Sequence, residues 1–163
     1  MKNSLIIDVS PSCPSPEWLP LVEPFIQSVL EDLDISSWEL SVLFCNDQFI
    51  AELNKQYRNI DSPTDVLSFE QGEEYTDDEG NTLFVAGDII ISLDMLSFNA
   101  SEYGVSKDEE LKRLLIHGIL HLDGYDHDDE HIERGKAAQG EMLVLQENLV
   151  SCYTADKIIK DET

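Results

Sequence analysis

SKDEELKRLLIHGILHLDG, residues 106–124, is the stretch on which both the fold and the chemistry turn. Ser106 followed three residues later by Glu109 is a capping box, in which the hydroxyl and the acid satisfy backbone N–H groups that the first helical turn leaves unpaired. Leu111, Leu114, Leu115 and Leu120 then recur at helical spacing, the mark of a helix with a buried face. Gly124, lacking a Cβ, can take the positive φ that ends a helix. The segment predicts one helix from Ser106 to near Gly124.

Working outward, residues 129–150 read as a final helix supported by Met142, Leu145 and Leu149. Upstream, Leu93–Tyr103 reads as a helix stopped by Gly104, 83–92 as a strand, 71–80 as a polar, acid-rich hairpin or loop, and 66–69 as a short strand. Asn46 offers a cap for a helix carrying Phe49, Ile50, Leu53 and Tyr57 on one face. Trp38, Leu40, Val42 and Phe44 alternate as in a strand over Trp38–Cys45. Val22, Phe25, Ile26, Val29, Leu30 and Leu33 place a helix over 21–33, with Pro24 either in its first turn or kinking it. Ser4–Val9 reads as the first strand. Helices interleaved with about four strands predict an α/β-type or mixed α+β domain, while strand order is not legible.

The chain has 163 residues with 34 acids against 10 Lys and Arg, a net charge of −24. At 42% apolar residues it has material for one self-sufficient core, since a domain of this size buries roughly 68–70% of its unfolded surface. One domain over residues 1–163 is expected. No apolar run approaches the ~20 residues that cross a bilayer, and no signal peptide is recognisable at the N-terminus, so a cytoplasmic location is expected. Cys13, Cys45 and Cys152 are widely spaced and read as buried thiols of a reducing compartment. Nonspecific duplex binding through a broad basic surface is disfavoured by the charge balance.

Three of the four histidines fall in HGILHLDGYDH, residues 117–127. His117 and His121, four apart, project from one helix face about one turn apart, as two imidazoles sharing a metal ion must. A turn at Gly124 can bring His127 back to the same ion. Three neutral imidazoles with one open position describe a catalytic rather than a structural zinc site. His131 does not fit the pattern and reads as a solvated residue of the last helix. Zinc peptidases of the HExxH type place a glutamate base directly after the first histidine; here that residue is Gly118, which speaks against peptide hydrolysis. Metal-assisted phosphodiester chemistry survives its loss better, because the metal can activate water and polarise a phosphoryl oxygen.

The same motif resembles the HGxLHLxGYDH signature of the YbeY family, bacterial metal-dependent endoribonucleases. Residues 54–58 and 63–69, NKQYR and PTDVLSF, resemble that family's YR…PTDVLSF segment, and Gly87-Asp88-Ile89 its GDI strand motif. The resemblance implies a single α+β domain, a small mixed four-stranded sheet flanked by helices with a zincin-like metal-binding helix. It also implies one Zn2+ on His117, His121 and His127, and a functional arginine at Arg58. The implied activity is a zinc-dependent, single-strand-specific endoribonuclease acting in rRNA maturation at the 16S 3′ end and in ribosome quality control. Its implied partners are RNA, above all rRNA, and ribosomal particles or basic ribosomal proteins. Two rival functions remain open: a noncatalytic ribosome-assembly factor with a structural metal, and a metallohydrolase acting on a substrate other than RNA.

Bland roles are also available to the motif residues. Asp65 suits a turn, capping backbone N–H groups, and Asp88 either orients a ligand histidine or satisfies local backbone. Six acids near 10 Å from a phosphate oppose it by about 1 kcal/mol in all after screening, whereas Arg58 at ~4 Å in a partly buried cleft attracts it by about 4 kcal/mol before desolvation. Local charge can therefore win, although the remaining acidic surface slows long-range approach of RNA. The acid runs at 70–79 and 123–133 otherwise read as solvated surface.

Overall fold

The structure is a computed structural model that describes residues 3–125 and 140–160. His127 and His131 lie outside the described residues, as do the acids Asp126, Asp128, Asp129 and Glu130 and the first part of the expected final helix.

In chain order the described elements are β1 (Ser4–Val9), α1 (Val22–Asp32), β2 (Trp38–Cys45), α2 (Asp47–Arg58), β3 (Val66–Thr76), β4 (Thr82–Ser92), α3 (Leu93–Tyr103), α4 (Lys107–Leu122) and α5 (Glu141–Cys152). The four strands form one sheet in the order β1-β2-β4-β3. β1 and β4 flank β2 in parallel, and β3 pairs antiparallel with β4 at the edge. The result is the expected α+β domain with a small mixed four-stranded sheet.

Local signals set most boundaries. The Asn46 side chain accepts the Phe49 N–H at 2.9 Å and the Ser106 hydroxyl accepts the Glu109 N–H at 3.0 Å, so both predicted caps form. Pro24 sits in the first turn of α1, where its missing N–H costs nothing; a 3-10 turn at Leu19–Leu21 precedes it.

Two expectations are corrected. Of the two readings of residues 71–80 the hairpin is the one formed, and the strand before it is longer than the expected 66–69: β3 runs on to Thr76 and the turn occupies only the tip. Beyond Phe69 both faces of the strand are exposed, so backbone pairing with β4 rather than burial holds it there. The cysteines are not all buried thiols. Only Cys45 is buried, Cys13 being half-buried and Cys152 exposed.

The core divides by sheet face. Leu40, Val42, Phe44, Ala86, Ile89 and Ile91 meet Val22, Ile26, Val29 and Leu30 of α1 and the apolar residues of α4 and α5. On the opposite face Cys45, Leu67 and Ile90 pack under Ile50 of α2, as the period-two alternation of strand side chains requires. α4 packs against β3, β4 and α5, with Leu111, Leu115, Ile116, Ile119 and Leu120 fully buried.

Where α4 crosses the sheet the backbones approach closely. Gly87 adopts φ +147°, and a Cβ there would lie 2.0 Å from the Phe69 carbonyl oxygen and 3.1 Å from Leu122. The β2–β4 and β3–β4 registers both slip beside this residue. The GDI motif thus has a backbone reason: only glycine fits between β3 and the end of α4.

A second anchor fixes the far end of the chain. Lys112 and Asp108 form a buried ion pair at 2.9 Å, with side chains 1% and 3% exposed. The Lys112 ammonium also donates to the Tyr153 and Asp156 carbonyls, and the Asp108 carboxylate accepts the Ile158 and Ile159 N–H groups. Each buried charge is thereby hydrogen-bonded as well as paired, the condition for tolerating it inside a protein.

Candidate metal centre

Arg113, His117 and His121 follow one another at four-residue intervals along α4, the one stripe of its second half that is not buried. Both histidines are half-buried, and their common face is a consequence of helical geometry. The chain leaves the helix immediately afterwards. Tyr125 N–H bonds the Leu120 carbonyl at 3.1 Å and Gly124 N–H the His121 carbonyl at 3.2 Å, the two reversed bonds of a Schellman turn. Gly124, at φ +92°, takes its left-handed position, and Tyr125 packs back on the core. The expected turn after the histidine pair is therefore present.

His117 is held from behind. Its Nδ1 lies 2.8 Å from the Gln146 Oε1 on α5, and Gln146 is 1% exposed. The Gln146 amide nitrogen donates to Glu147 at 3.1 Å, and Glu147 makes a two-pronged pair with Arg113 at 2.9 and 3.0 Å. Burial lowers the Arg113 pKa, but Glu147 and Glu109 outweigh it and leave the guanidinium more firmly protonated than usual. Arg113 continues to Glu110 at 3.4 Å; Glu110 accepts from Asn99, which donates to Asp65 at 2.9 Å.

Asp65 also accepts the Val66 N–H at 2.8 Å, so its structural role includes the backbone capping expected of it. Asp88 instead accepts the Gln71 side-chain amide at 2.8 Å, and neither a histidine nor backbone is the partner shown for it. Burial pushes the Asp123 carboxyl above its usual range at the end of the same helix.

His121 Nε2 lies 4.0 Å from Glu70 on β3. Phe69, beside it, packs edge-to-face with Tyr57 of α2 at 5.2 Å between ring centroids. Arg58, the next residue, ends α2. It is exposed and makes no ion pair among the described residues. No described contact joins it to the histidines directly; β3 links the two places.

The donor chemistry fits a divalent transition metal: two imidazoles on one helix face, one of them already oriented through its second nitrogen. Among the described residues no group of three metal-ligating side chains is assembled; His127, the third member of the motif, lies outside them. Gly118 faces the sheet. A Cβ at this position would come within 2.8 Å of Ile89 Cδ1. The place that holds the base in HExxH peptidases is thus filled here by helix-to-sheet packing.

Sequence reasoning missed Gln146, Glu147 and Arg113. The signal available was a glutamine inside the apolar stripe Met142, Leu143, Leu149, Val150 of α5, all buried. A polar residue at such a position needs a partner.

A small mixed α+β domain that carries an imidazole pair on its most buried helix is the class that fold and site define. The comparisons with known proteins specify it further. The family model described as Endoribonuclease YbeY matches residues 9–151, and the chain belongs to that family. It is 55% identical over 153 residues to the protein named Endoribonuclease YbeY of Treponema denticola, covering 94% of this chain and 95% of that one. The protein of the same name from Aquifex aeolicus is 44% identical over 124 residues, covering 76% and 79%. The solution structure of TM1509 from Thermotoga maritima is similar with a TM-score of 0.60 and 28% identity, covering 90% of this chain and 87% of that one.

Proposed function

We propose that this chain is a zinc-dependent endoribonuclease that cleaves single-stranded RNA during rRNA maturation. Its family membership supports the reaction class, and one structural observation carries the metal reading. Two histidines share a face of α4, and the first is oriented through Nδ1 by a buried glutamine. His117, His121 and His127 hold the ion. Such an ion, when bound, lowers the pKa of water and neutralises charge on a phosphoryl oxygen.

The protein's own residues do the rest. Arg58, exposed and without an ion pair among the described residues, binds the scissile phosphate through its planar fork of N–H donors. Tyr57 beside it, 61% exposed, offers a ring to a neighbouring base. Packing at Gly118 excludes the glutamate base of HExxH peptidases, which disfavours peptide substrates.

The net charge of −24 makes unaided approach to RNA slow, so ribosomal particles with basic proteins are the proposed setting, as they are for quality control of ribosomes. The deciding experiment compares wild type with His117→Ala on a single-stranded RNA, with bound metal quantified. Loss of both zinc and cleavage is expected; full activity with stoichiometric zinc in the variant refutes the assignment. Cleavage of ester or peptide substrates with RNA left intact selects the non-RNA hydrolase. Rescue of rRNA processing by a nuclease-dead, folded variant selects the assembly factor. Failure to cosediment with ribosomal particles at low salt refutes the proposed setting.

A further inference from the structure

We infer that Gln146 is a positioning residue of the metal site, which with Glu147 and Arg113 holds His117 in the tautomer protonated on Nδ1, so that Nε2 carries the lone pair. The inference rests on the reading of His117 as a ligand.

The argument is one of donor and acceptor polarity along a chain of contacts. An amide side chain has one accepting and one donating end, and its orientation follows from its neighbours. Here the neighbour is the Glu147 carboxylate, which only accepts and lies 3.1 Å from the Gln146 nitrogen. Arg113 holds that carboxylate from the other side with two N–H donors at 2.9 and 3.0 Å. Rotating the amide would set its oxygen against the carboxylate, so the oxygen must face His117. At 2.8 Å from that oxygen, Nδ1 is required to be the donor.

A neutral imidazole with its proton on Nδ1 has its only lone pair on Nε2. The polarity of a surface-facing ion pair is thus transmitted through one buried amide to the metal-facing atom of a histidine. Gln146 is 1% exposed, so water cannot substitute for either of its bonds.

The test uses the full chain and reads zinc affinity, by competition with a chromophoric chelator, together with the ring 15N shifts of His117 in metal-free protein. Wild type should show the Nδ1–H form of a neutral ring. Gln146→Leu should lose that signature and bind zinc about 10–100-fold more weakly. Glu147→Gln frees the amide to rotate and should mix the two ring forms, with a several-fold loss of affinity; it also decides the matter if Gln146→Leu does not fold.

Wild-type zinc affinity and an unaltered Nδ1–H signature in Gln146→Leu or in Glu147→Gln overturn the inference if His117→Ala has lost zinc. If His117→Ala itself binds zinc as tightly as wild type, the ligand reading fails and takes the inference with it.

Discussion

Replacing Gly87 by alanine tests whether close backbone approach, rather than any side chain, seats α4 on the sheet. Two costs can be worked from the structure. The φ of +147° is one that L-residues rarely adopt, worth about 1–3 kcal/mol. The new Cβ would also sit 2.0 Å from the Phe69 carbonyl oxygen, and a separation under 3.0 Å is essentially never found. β3 must therefore retreat by about 1 Å, and a ladder bond lost in that movement adds about 1–3 kcal/mol.

The sum is about 2–6 kcal/mol, or a fall in Tm of roughly 4–24 °C for a domain of this size. Gly72→Ala is the internal control, because it too has positive φ, +71°, but nothing within 4 Å of its Cβ; strain alone gives about 1–2 kcal/mol there. The assay is urea unfolding of both variants, followed by circular dichroism with midpoint and m-value compared. Zinc affinity of Gly87→Ala should also fall, because Phe69 and Glu70 move relative to His121. If Gly87→Ala unfolds within about 0.5 kcal/mol of Gly72→Ala, the additivity error expected for such comparisons, the close-approach argument is wrong.

Other substitutions probe neighbouring features. Lys112→Met leaves Asp108 buried without its cation and should destabilise by about 3–5 kcal/mol, measured by the same unfolding assay; a loss under about 1 kcal/mol, the scale of an exposed pair, contradicts the buried-pair reading. Burial pushes the Cys45 thiol up to about 12, so at pH 8 a maleimide should label exposed Cys152 quickly and Cys45 only after unfolding. Equal rates for the two in the native protein would refute that. Gly118→Glu should give no peptidase activity and should lose cooperative unfolding, since the side chain would enter the Ile89 packing; a folded variant of wild-type stability refutes the packing account.

What was legible in the sequence is what is local. Asn46, Ser106 and Gly124 act within four residues of themselves, through caps and a turn whose chemistry needs no distant partner. The strand Trp38–Cys45 was legible because one face is buried and the alternation survives in the residues. β3 was legible only to Phe69: beyond it both faces meet solvent, so its residues carry no period, and the pairing with β4 that continues the strand is not written in them. The two histidines declared themselves by spacing, but the support of His117 comes from Gln146, 29 residues later, across a helix contact that no local pattern encodes. Asp65 likewise reads as a turn residue, and its link through Asn99 and Glu110 to Arg113 emerges only when α3 and α4 are packed together.

The position of β3 at the sheet edge gives its exposed acids, Glu70, Glu73 and Glu74, a use unrelated to catalysis. An edge strand offers unsatisfied amides and carbonyls to any other extended chain, and like charges along it discourage such recruitment. Two copies of this molecule meeting edge to edge would confront glutamate with glutamate. The same negative charge that keeps polyanions at arm's length therefore also protects the open side of the sheet from intermolecular strand addition and the aggregates that grow from it.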